Sequence, residues 1–439
     1  MARTPRIALL DHMGGGNLGD DATQTAVMEN IRSRWPNCSI YGFSMNPADT
    51  ELRHKIPSYP IRFQTWTLGN HGETSGTNLK HSIKNTLGEF GVAYKLLKGL
   101  HTAIVKGPRT LLRELFFLAR SLRLLRSFDL LIISGGGQLM DAWGGPWSFP
   151  YTIFKWVLLT RLAGVRCIML NVGAGPIDRR LSKLFIRRAL SMADYVSFRD
   201  KKSLALVRSI GFRGHAEVFP DVVYGLDVSN FRNDACAART EPIVGIAPMA
   251  YGDRRVYPNH DPRVHEGLIQ SLDSFGLWLS DNGYQIALFC SDIGVDPPTV
   301  QDLETRLRAG MSRSRSGSLK VAALATGADL LQEIASMDFV VTCRFHGVVF
   351  AHLLNVPMIA ISHHSKIVTL MGDLGLSEYC LDIRDCDMDR LMTAFSSLVR
   401  NAPAIKAHMQ EKRSAWEHEL SSQFDALFPQ KTAQRIACV

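Results

Sequence analysis

Positively charged and titratable side chains stand directly after two apolar runs in the C-terminal half of the sequence. Arg344 and His346 belong to the segment Thr342–Gly347, and Lys366 closes the segment Ile361–Lys366. An arginine offers a permanent planar charge that matches carboxylate or phosphate, and a histidine titrates near neutrality. Free amides of a strand-to-helix turn add to such a site. These residues predict an anion-binding site with a proton-transfer group; a histidine that only satisfies a helix N-terminus is the structural alternative.

Glycine-rich turns follow apolar runs in the N-terminal half. The first is Gly14–Asp21 (GGGNLGDD), which includes Gly14, Gly15 and Asn17, and the second is Ser134–Asp141 (SGGGQLMD). Glycine allows a backbone to approach a ligand closely, although a tight turn alone requires the same residue. Neither segment has the lysine of a Walker loop. Both turns are therefore candidate ligand contacts.

Two charged residues of the N-terminal half have alternative interpretations. Asp141 could contact sugar hydroxyls or act as a base, or it could cap a helix. Arg199, in the segment Ser197–Asp200, could bind an anion or pair with Asp200 or Asp221. The residue types leave these alternatives open.

The elements that must position these residues alternate between strand and helix. Predicted strands are Arg6–Leu10, Ser39–Phe43, Leu130–Ser134, Arg166–Val172, Asp194–Phe198, Ile243–Ala247, Gln285–Cys290, Phe339–Thr342 and Pro357–Ile361. Alternation of this kind indicates parallel sheets with helices on both faces. We therefore expect an α/β fold of two Rossmann-like, doubly wound domains that face a central cleft, with ligands at the carboxyl ends of the strands.

The length of 439 residues suits two domains. We predict a first domain over residues 1–220, with a basic insertion at about 51–128, and a second over 241–400. Residues 401–439 are predicted as a long C-terminal helix and tail. The turn-rich segment Pro220–Glu241 separates the two domains.

Charge and composition limit the partners and the compartment. Lys plus Arg is 50 against 41 Asp plus Glu, so the net charge of +9 favours an acidic partner. No uncharged apolar run reaches about 18 residues, so a membrane span is not expected. Ile7–Leu10 is too short for a signal peptide, and a cytoplasmic location is expected. The eight cysteines lack a C-x-x-C pair, so they do not indicate a zinc site. We expect no metal and no cofactor.

The insertion over Lys80–Arg126 alternates basic with apolar residues. It is interpreted either as an amphipathic helix on anionic lipid at the inner face of the membrane or as a solvated helix packed on its domain. A nucleic-acid partner is not expected, because aromatic residues do not interleave with the basic ones and no nucleic-acid motif is present.

Six segments, taken in order, resemble the motifs of the polysaccharide pyruvyl transferase family. They are Gly14–Asp21, Gly135–Gly137, Ser197–Asp200, Pro220–Asp221, Arg344–Gly347 and Lys366–Gly375. The resemblance runs from Met1 to about Glu378, and the basic insertion lies outside the shared pattern. It implies a GT-B-like fold and the transfer of the enolpyruvyl carbons of phosphoenolpyruvate onto two hydroxyls of one sugar, with release of phosphate.

The resemblance also implies roles for individual residues. It assigns phosphoenolpyruvate to Arg199, Arg344, the Phe345 backbone and His346, and we expect His346 to be the acid that protonates C3 or the departing phosphate. Further expected donor contacts are Gly14, Gly15, Asn17 and Lys366. Expected acceptor contacts are Asp141, which is also a catalytic candidate, Gly136 and Gly137.

The resemblance leaves the acceptor to be inferred, and a lipid-linked oligosaccharide is expected. The alternative function is that of a GT-B glycosyltransferase with a nucleotide sugar, which would need a carboxylate in the C-terminal half to hold the donor ribose. Glu378 is the candidate for that carboxylate. The oligomeric state is left open.

Overall fold

The computed structural model describes residues 4–10, 14–63, 107–142, 144–231, 241–256, 261–312 and 315–429. The chain divides into two compact units. The first holds the described parts of Met1–Gly15 and Trp35–Val218, and the second those of Gly16–Arg34 and Phe219–Pro429.

The first unit is built on one parallel sheet. Its strands are β1 (Arg6–Leu10), β2 (Ser39–Ser44), β3 (Ser58–Pro60), β4 (Leu130–Ser134), β5 (Arg166–Val172), β6 (Tyr195–Phe198) and β7 (Glu217–Val218). Their order is β3-β2-β1-β4-β5-β6-β7, and each pair is parallel. Every residue of β4 is buried. A strand covered on both faces has no position for polar side chains, which explains the continuous apolar run.

Helices flank this sheet. Along the chain α1 (Leu18–Arg34) follows β1 but belongs to the second unit. The first unit's own helices are α2 (Pro47–His54), α3 (Gly107–Leu125), α4 (Phe149–Ala163), α5 (Arg180–Met192) and α6 (Lys201–Ser209). Local residues set their ends: Asp200 accepts a hydrogen bond from the Ser203 amide at 2.6 Å to cap α6, and Gly164 ends α4 with a φ of 72°.

The second unit repeats the plan. Its strands are β8 (Ile243–Ala247), β9 (Gln285–Leu288), β10 (Leu319–Val321), β11 (Phe339–Thr342), β12 (Met358–Ser362) and β13 (Cys380–Asp382). Its further helices are α7 (Pro262–Asp281), α8 (Pro297–Gly310), α9 (Gly327–Ala335), α10 (Phe345–Leu353), α11 (Ser365–Asp373) and α12 (Met388–Leu427). The sheet has the order β10-β9-β8-β11-β12-β13 and is parallel throughout.

The contacts of α1 place this helix in the second unit, whereas the prediction included it in the first domain, residues 1–220. Leu18 and Ala22 are buried in the apolar core of the second unit. The side-chain amide of Asn30 donates to the carbonyl oxygen of Gly225 at 2.7 Å. At Gly327, where an added Cβ would lie 3.0 Å from the Leu18 carbonyl oxygen, α9 approaches α1 closely. The apolar face of α1 is therefore buried in the second unit, and the predicted boundary is corrected to exclude Gly16–Arg34 from the first.

The sequence predicts a C-terminal helix and tail over residues 401–439, and the helix, α12, begins earlier, at Met388. Asp387 caps it by accepting a hydrogen bond from the Arg390 amide at 2.8 Å. Pro403 lies inside the helix, where a proline usually marks a break. Burial of Leu398 and Ile405 in the second core stabilises the helix on both sides of this proline.

Part of the predicted basic insertion lies outside the described residues, namely 64–106. Its remaining parts form α2, β3 and α3. In the part of the chain that the structure describes, no helix has both the length and the apolar character needed to cross a bilayer.

Candidate active site

Arg344 follows β11 directly and is held by two aspartates of the second unit. Its Nε donates to Oδ2 of Asp296 at 2.8 Å, and a terminal nitrogen donates to Oδ1 at 2.7 Å. The same nitrogen lies 3.6 Å from Oδ2 of Asp292. Asp296 is completely buried and also accepts a hydrogen bond from the Ala250 amide at 3.0 Å. The two-point contact fixes the orientation of the guanidinium.

Asp292 and Asp296 share one guanidinium, which can neutralise only one carboxylate. The pKa of Asp292 is raised to about 6, and burial of the carboxyl group is the main cause. The charge of Arg344 acts in the opposite direction, and the charge of Asp296 acts in the same direction as burial. A carboxyl group in this range exchanges a proton near neutral pH. The cluster of Arg344, Asp292 and Asp296 thus combines a permanent positive charge with a group that gives and takes protons.

The ring of His346 lies against Gly19 in the first turn of α1. A Cβ atom on Gly19 would be 2.0 Å from Cγ and 2.1 Å from Nδ1 of His346, so only glycine leaves room for the ring. A Cβ on Gly347 would be 2.2 Å from Oγ1 of Thr342, so α10 approaches the end of β11 equally closely. The two close approaches place the largely buried His346 near the amino ends of α1 and α10. Helix amides at such ends favour anions.

The turn that precedes α1 is tied to the loop after β9. The Leu18 amide donates to the carbonyl oxygen of Ser291 at 2.9 Å, and Asn17 pairs with Asp292 in an isolated antiparallel bridge. Oδ1 of Asn17 accepts a hydrogen bond from the Gly19 amide at 3.0 Å. Asn17 therefore lies beside Asp292 while it orders the first turn of α1.

Lys366 lies in the first turn of α11, after β12. Its Nζ is 5.6 Å from the ring centre of Phe345, a cation–π contact. The ring of His364 caps α11, since Nδ1 accepts a hydrogen bond from the Lys366 amide at 3.2 Å. Burial lowers the pKa of His363 to about 3, and the charges of Lys366 and Arg344 act in the same direction. The ring of His363 is therefore neutral near pH 7 and adds no positive charge to this end of the sheet.

The second unit therefore brings several predicted donor residues together at the carboxyl ends of β11 and β12. They are Asn17, Arg344, Phe345, His346 and Lys366. Arg344 and Lys366 carry permanent charge near neutral pH, and His346 and Asp292 are groups that can exchange protons. The arrangement suits a small anion whose reaction requires proton transfer.

The first unit holds a second cation at the carboxyl ends of its strands. A Cβ on Gly173 would lie 2.7 Å from Nε of Arg199 and 2.8 Å from the carbonyl oxygen of Gly136, so the arginine packs on bare backbone. The predicted pair with Asp200 is loose, at 3.9 Å from Nε to Oδ2. Gly136 thus lies in the same strand-end region as Arg199, and acceptor contact by Gly136 and Gly137 stays a prediction.

The carboxylate of Asp141 is engaged with backbone amides of the first unit. Its Oδ2 accepts hydrogen bonds from the amides of Arg179 at 2.9 Å and Asp178 at 3.2 Å. Burial alone would raise the pKa of Asp141, but these hydrogen bonds outweigh burial and the net effect lowers the pKa. A carboxylate of low pKa is a poor general base. These contacts favour the structural alternative for Asp141, close to a helix cap, and its catalytic and acceptor role stays a prediction.

Replacing Asp141 by asparagine should therefore destabilise the protein without disabling its chemistry. The amide nitrogen of Asn would face two backbone donors, at a cost of about 1–3 kcal/mol. Because the native pKa is below its usual value, this stabilisation exists above the unfolded pKa and is lost as the pH falls through the native one. Urea unfolding at pH 7 and pH 4 measures it, with exposed Asp178→Asn as control. Full stability with lost turnover would return Asp141 to the acceptor site.

Gly14 and Gly15 belong to the first unit, unlike Asn17. Gly14 has a φ of 91°, and a Cβ there would be 2.6 Å from Cβ of Asn46, the residue that caps α2. Packing and backbone conformation thus account for Gly14. Donor contact by Gly14 and Gly15 stays a prediction.

One group of side chains among the described residues has the spacing of a metal site: Asp253, His265 and Asp302. Arg255 donates hydrogen bonds to both aspartates, at 2.6 Å in the case of Asp253. The guanidinium already supplies the positive charge that these carboxylates require, and we assign no metal to them. That the reaction needs no metal and no cofactor stays a prediction.

Sequence reasoning missed Asp292 and Asp296. Both belong to the segment SDIGVD that follows β9, so they stand at the carboxyl end of a parallel strand. A signal was present, because two aspartates four residues apart at such an edge are candidates for contact with a cation or an arginine.

The model of the family described as polysaccharide pyruvyl transferase matches residues 17–365 of this chain. The match spans well over half of the sequence and includes Arg199, Asp292, Arg344 and His346. The chain belongs to the polysaccharide pyruvyl transferase family. The resemblance seen in its motifs is thereby confirmed, and the protein is a transferase enzyme of polysaccharide pyruvylation.

Solved structures resemble this pyruvyl transferase in fold. Sucrose-phosphate synthase from Thermosynechococcus elongatus has a TM-score of 0.55 at 12% identity, over 98% of this chain and 100% of that one. The N-terminal domain of trehalose-6-phosphate phosphatase from Candida albicans has a TM-score of 0.54 at 11% identity, over 98% and 97%. UDP-GlcNAc 2-epimerase from Methanocaldococcus jannaschii gives 0.52 at 11% identity, over 89% and 92%. At these identities the likeness concerns the fold alone, and it confirms the predicted GT-B-like α/β class.

Proposed function

We propose that this transferase moves the enolpyruvyl group of phosphoenolpyruvate onto two hydroxyls of one sugar, forming a cyclic ketal and releasing phosphate. The observation that carries the proposal is the cluster of Arg344, His346 and Lys366 within one unit of a member of this family. Phosphoenolpyruvate carries a carboxylate and a phosphate, and two fixed cations beside helix amino ends are suited to such a dianionic ligand.

Arg344 is assigned to the donor because its orientation is set before any ligand binds. Asp296 holds two of its nitrogens, so the guanidinium loses little conformational freedom on binding. When Asp292 is protonated, it no longer offsets part of the positive charge of Arg344. The guanidinium then attracts the anionic donor more strongly. Asn17 and the Phe345 backbone are further proposed donor contacts within the same unit. Donor contact by Arg199, Gly14 and Gly15 stays a prediction of the family resemblance.

His346 is assigned as the acid of the reaction. Protonation at C3 turns the methylene of the enol into a methyl group and leaves a cation at C2, which the first sugar hydroxyl attacks. The second hydroxyl then replaces phosphate as the C2–O bond breaks. Of the two protons that the hydroxyls lose, one replaces the proton delivered to C3 and the other leaves on phosphate. A histidine fits this exchange because it gives and takes a proton near neutral pH.

A lipid-linked oligosaccharide is the proposed acceptor, and the cytoplasmic face of a membrane is the proposed location. The net charge of +9 supports an enzyme that works at an anionic surface. Gly136 and Gly137, which line the strand ends of the first unit with Arg199, are the proposed acceptor contacts.

A nucleotide-sugar glycosyltransferase is the competing function, and the placement of Glu378 speaks against it. Glu378 lies in the short turn Ser377–Tyr379, which precedes β13. It therefore stands at the amino end of that strand, whereas ligands of such sheets bind at the carboxyl ends. The carboxylate expected to hold a donor ribose is thus on the wrong edge of the sheet.

Thermal unfolding with candidate donors tests the proposal. Phosphoenolpyruvate at about 100 times its Kd should stabilise the native protein by about 2.7 kcal/mol and raise Tm, while UDP and GDP should not. Lys366→Gln should weaken the shift, because it removes one cation of the cluster. Lys406→Gln, an exposed change on α12, serves as the control and should leave the shift unchanged.

Turnover provides the second arm of the test. Phosphate release from phosphoenolpyruvate should require both the enzyme and a lipid-linked glycan extract as acceptor. A Tm increase with UDP or GDP and none with phosphoenolpyruvate, together with no phosphate release, would overturn the proposal in favour of the glycosyltransferase.

A further inference from the structure

Two turns of α3 expose large apolar side chains to solvent. Leu111, Leu112, Leu115 and Phe116 are 61%, 55%, 51% and 75% exposed. Elsewhere in the described ranges the exposed large apolar residues are scattered singly over other elements, among them Leu52 and Val368. A surface helix of a globular protein normally places polar residues on its outer face, so a continuous apolar patch marks an interaction surface.

The charged side chains exposed on α3 and at its end are arginines: Arg113, Arg120, Arg123 and Arg126. The acidic residue of the helix, Glu114, is half-buried and turned toward α4. Its Oε1 accepts hydrogen bonds from Nζ of Lys155 at 3.0 Å and from the hydroxyl of Tyr151 at 3.1 Å. The outer face therefore carries the apolar cluster in its first half, and the charges exposed on it are all positive.

The opposite face of α3 fixes the helix to its unit. Phe117 packs edge-on against Trp156 with ring centres 6.3 Å apart, and Ser121 and Leu125 are buried. These contacts set the rotation of α3 about its own axis. The apolar and basic residues on the outer side consequently form a fixed surface, available before any partner arrives.

An exposed tryptophan is connected to this helix through Tyr151 of α4. Trp147 is 65% exposed, and its ring centre is 5.5 Å from that of Tyr151, the residue whose hydroxyl contacts Glu114 of α3. Tryptophan combines a large apolar ring with a polar N–H and is enriched where membranes meet water. Trp147 thus supplies an exposed aromatic side chain in the same unit, connected to α3 through Tyr151.

We propose that the outer face of α3, together with Trp147, docks on a bilayer that contains anionic lipid. Leu111, Leu112, Leu115 and Phe116 would enter the boundary between headgroups and acyl chains, and the arginines would contact lipid phosphates. A second copy of the chain is a poorer partner, because a two-fold interface would bring together two identical faces whose exposed charges are all arginine. The surface is inferred independently of the donor; its purpose, access to a lipid-linked acceptor, rests on the proposed function.

Vesicle sedimentation with the full chain tests the docking surface. Wild-type protein should sediment with phosphatidylcholine vesicles that contain phosphatidylglycerol and remain in solution with phosphatidylcholine alone. Leu112→Ser with Phe116→Ser should lower the partition coefficient about tenfold or more, because both side chains supply apolar area for insertion. Arg120→Glu with Arg123→Glu should lower it similarly on anionic vesicles.

Matched controls separate this surface from general effects. Leu52→Ser removes an equally exposed leucine from α2, and Arg400→Glu with Lys406→Glu reverses two exposed charges on α12; both should bind like wild type. Equal binding by wild type and the α3 variants, or no binding by wild type, would overturn the proposal. So would a dimer that Phe116→Ser dissociates in the absence of vesicle binding. Sedimentation requires no turnover, so its result is independent of the proposed donor.

Discussion

Replacing Arg344 by alanine is expected to destabilise the protein by about 3–5 kcal/mol and to abolish the Tm increase caused by phosphoenolpyruvate. The first effect arises because Asp296 is completely buried and loses both hydrogen bonds from the guanidinium. The second arises because the proposed donor loses its oriented cation. Urea unfolding measures the first effect, and thermal unfolding with and without phosphoenolpyruvate measures the second.

Two comparisons separate the structural effect of Arg344 from its effect on the donor. Adding Asp296→Asn to Arg344→Ala removes the stranded charge, so stability should recover in part while the response to phosphoenolpyruvate stays lost. Arg255→Ala removes an arginine that also bridges two aspartates, but one that is half-exposed, and should cost only about 1 kcal/mol. Equal losses of stability in Arg344→Ala and Arg255→Ala would show that Asp296 does not depend on Arg344.

The central strands were predictable from sequence because they are covered on both faces. Leu130–Ser134, Arg166–Val172 and Phe339–Thr342 have the bounds that their apolar runs predicted. Strands at the sheet edges were missed, among them β7 and β13. These are only two and three residues long and partly exposed, so no apolar run distinguishes them from loops.

The packing of α1 could not be predicted from its own periodicity. A pattern of apolar residues indicates that a helix has a buried face, but it does not identify the sheet that covers the face. In this chain α1 follows β1 of the first unit and is buried in the second. This placement brings Gly19 to His346, two residues that are far apart in sequence.

The sequence predicted where the residues of the candidate site lie along the chain, but it did not predict which residues contact them. Arg344, His346 and Lys366 were expected at strand ends, and the strand order places them at neighbouring ends of one sheet. The carboxylates that hold Arg344 come from the loop after β9, on the far side of β8. Local spacing marks these aspartates as candidates for contact with a cation but does not identify Arg344 as their partner. The same limit applies to the amides that engage Asp141.

The close contact between α1 and His346 makes Gly19 a sensitive position. Gly19→Ala would ordinarily stabilise a helix by up to about 1 kcal/mol. With Cβ only 2.0 Å from Cγ of His346, the ring must move instead, and we expect a loss of about 1–3 kcal/mol. Displacement of the proposed acid should also reduce turnover about a hundredfold. Urea unfolding and phosphate release measure the two effects.

A matched glycine and a double variant show whether the ring of His346 causes both losses. Gly267 lies in α7 with no atom within 4 Å of an added Cβ, so Gly267→Ala should be neutral or stabilising. Combining Gly19→Ala with His346→Ala relieves the clash, so the two stability costs should not add. Activity should stay lost in the double variant, because its acid is absent. Full activity in Gly19→Ala would mean that His346 acts from another position. The contact of its ring with α1 would then not be required for catalysis.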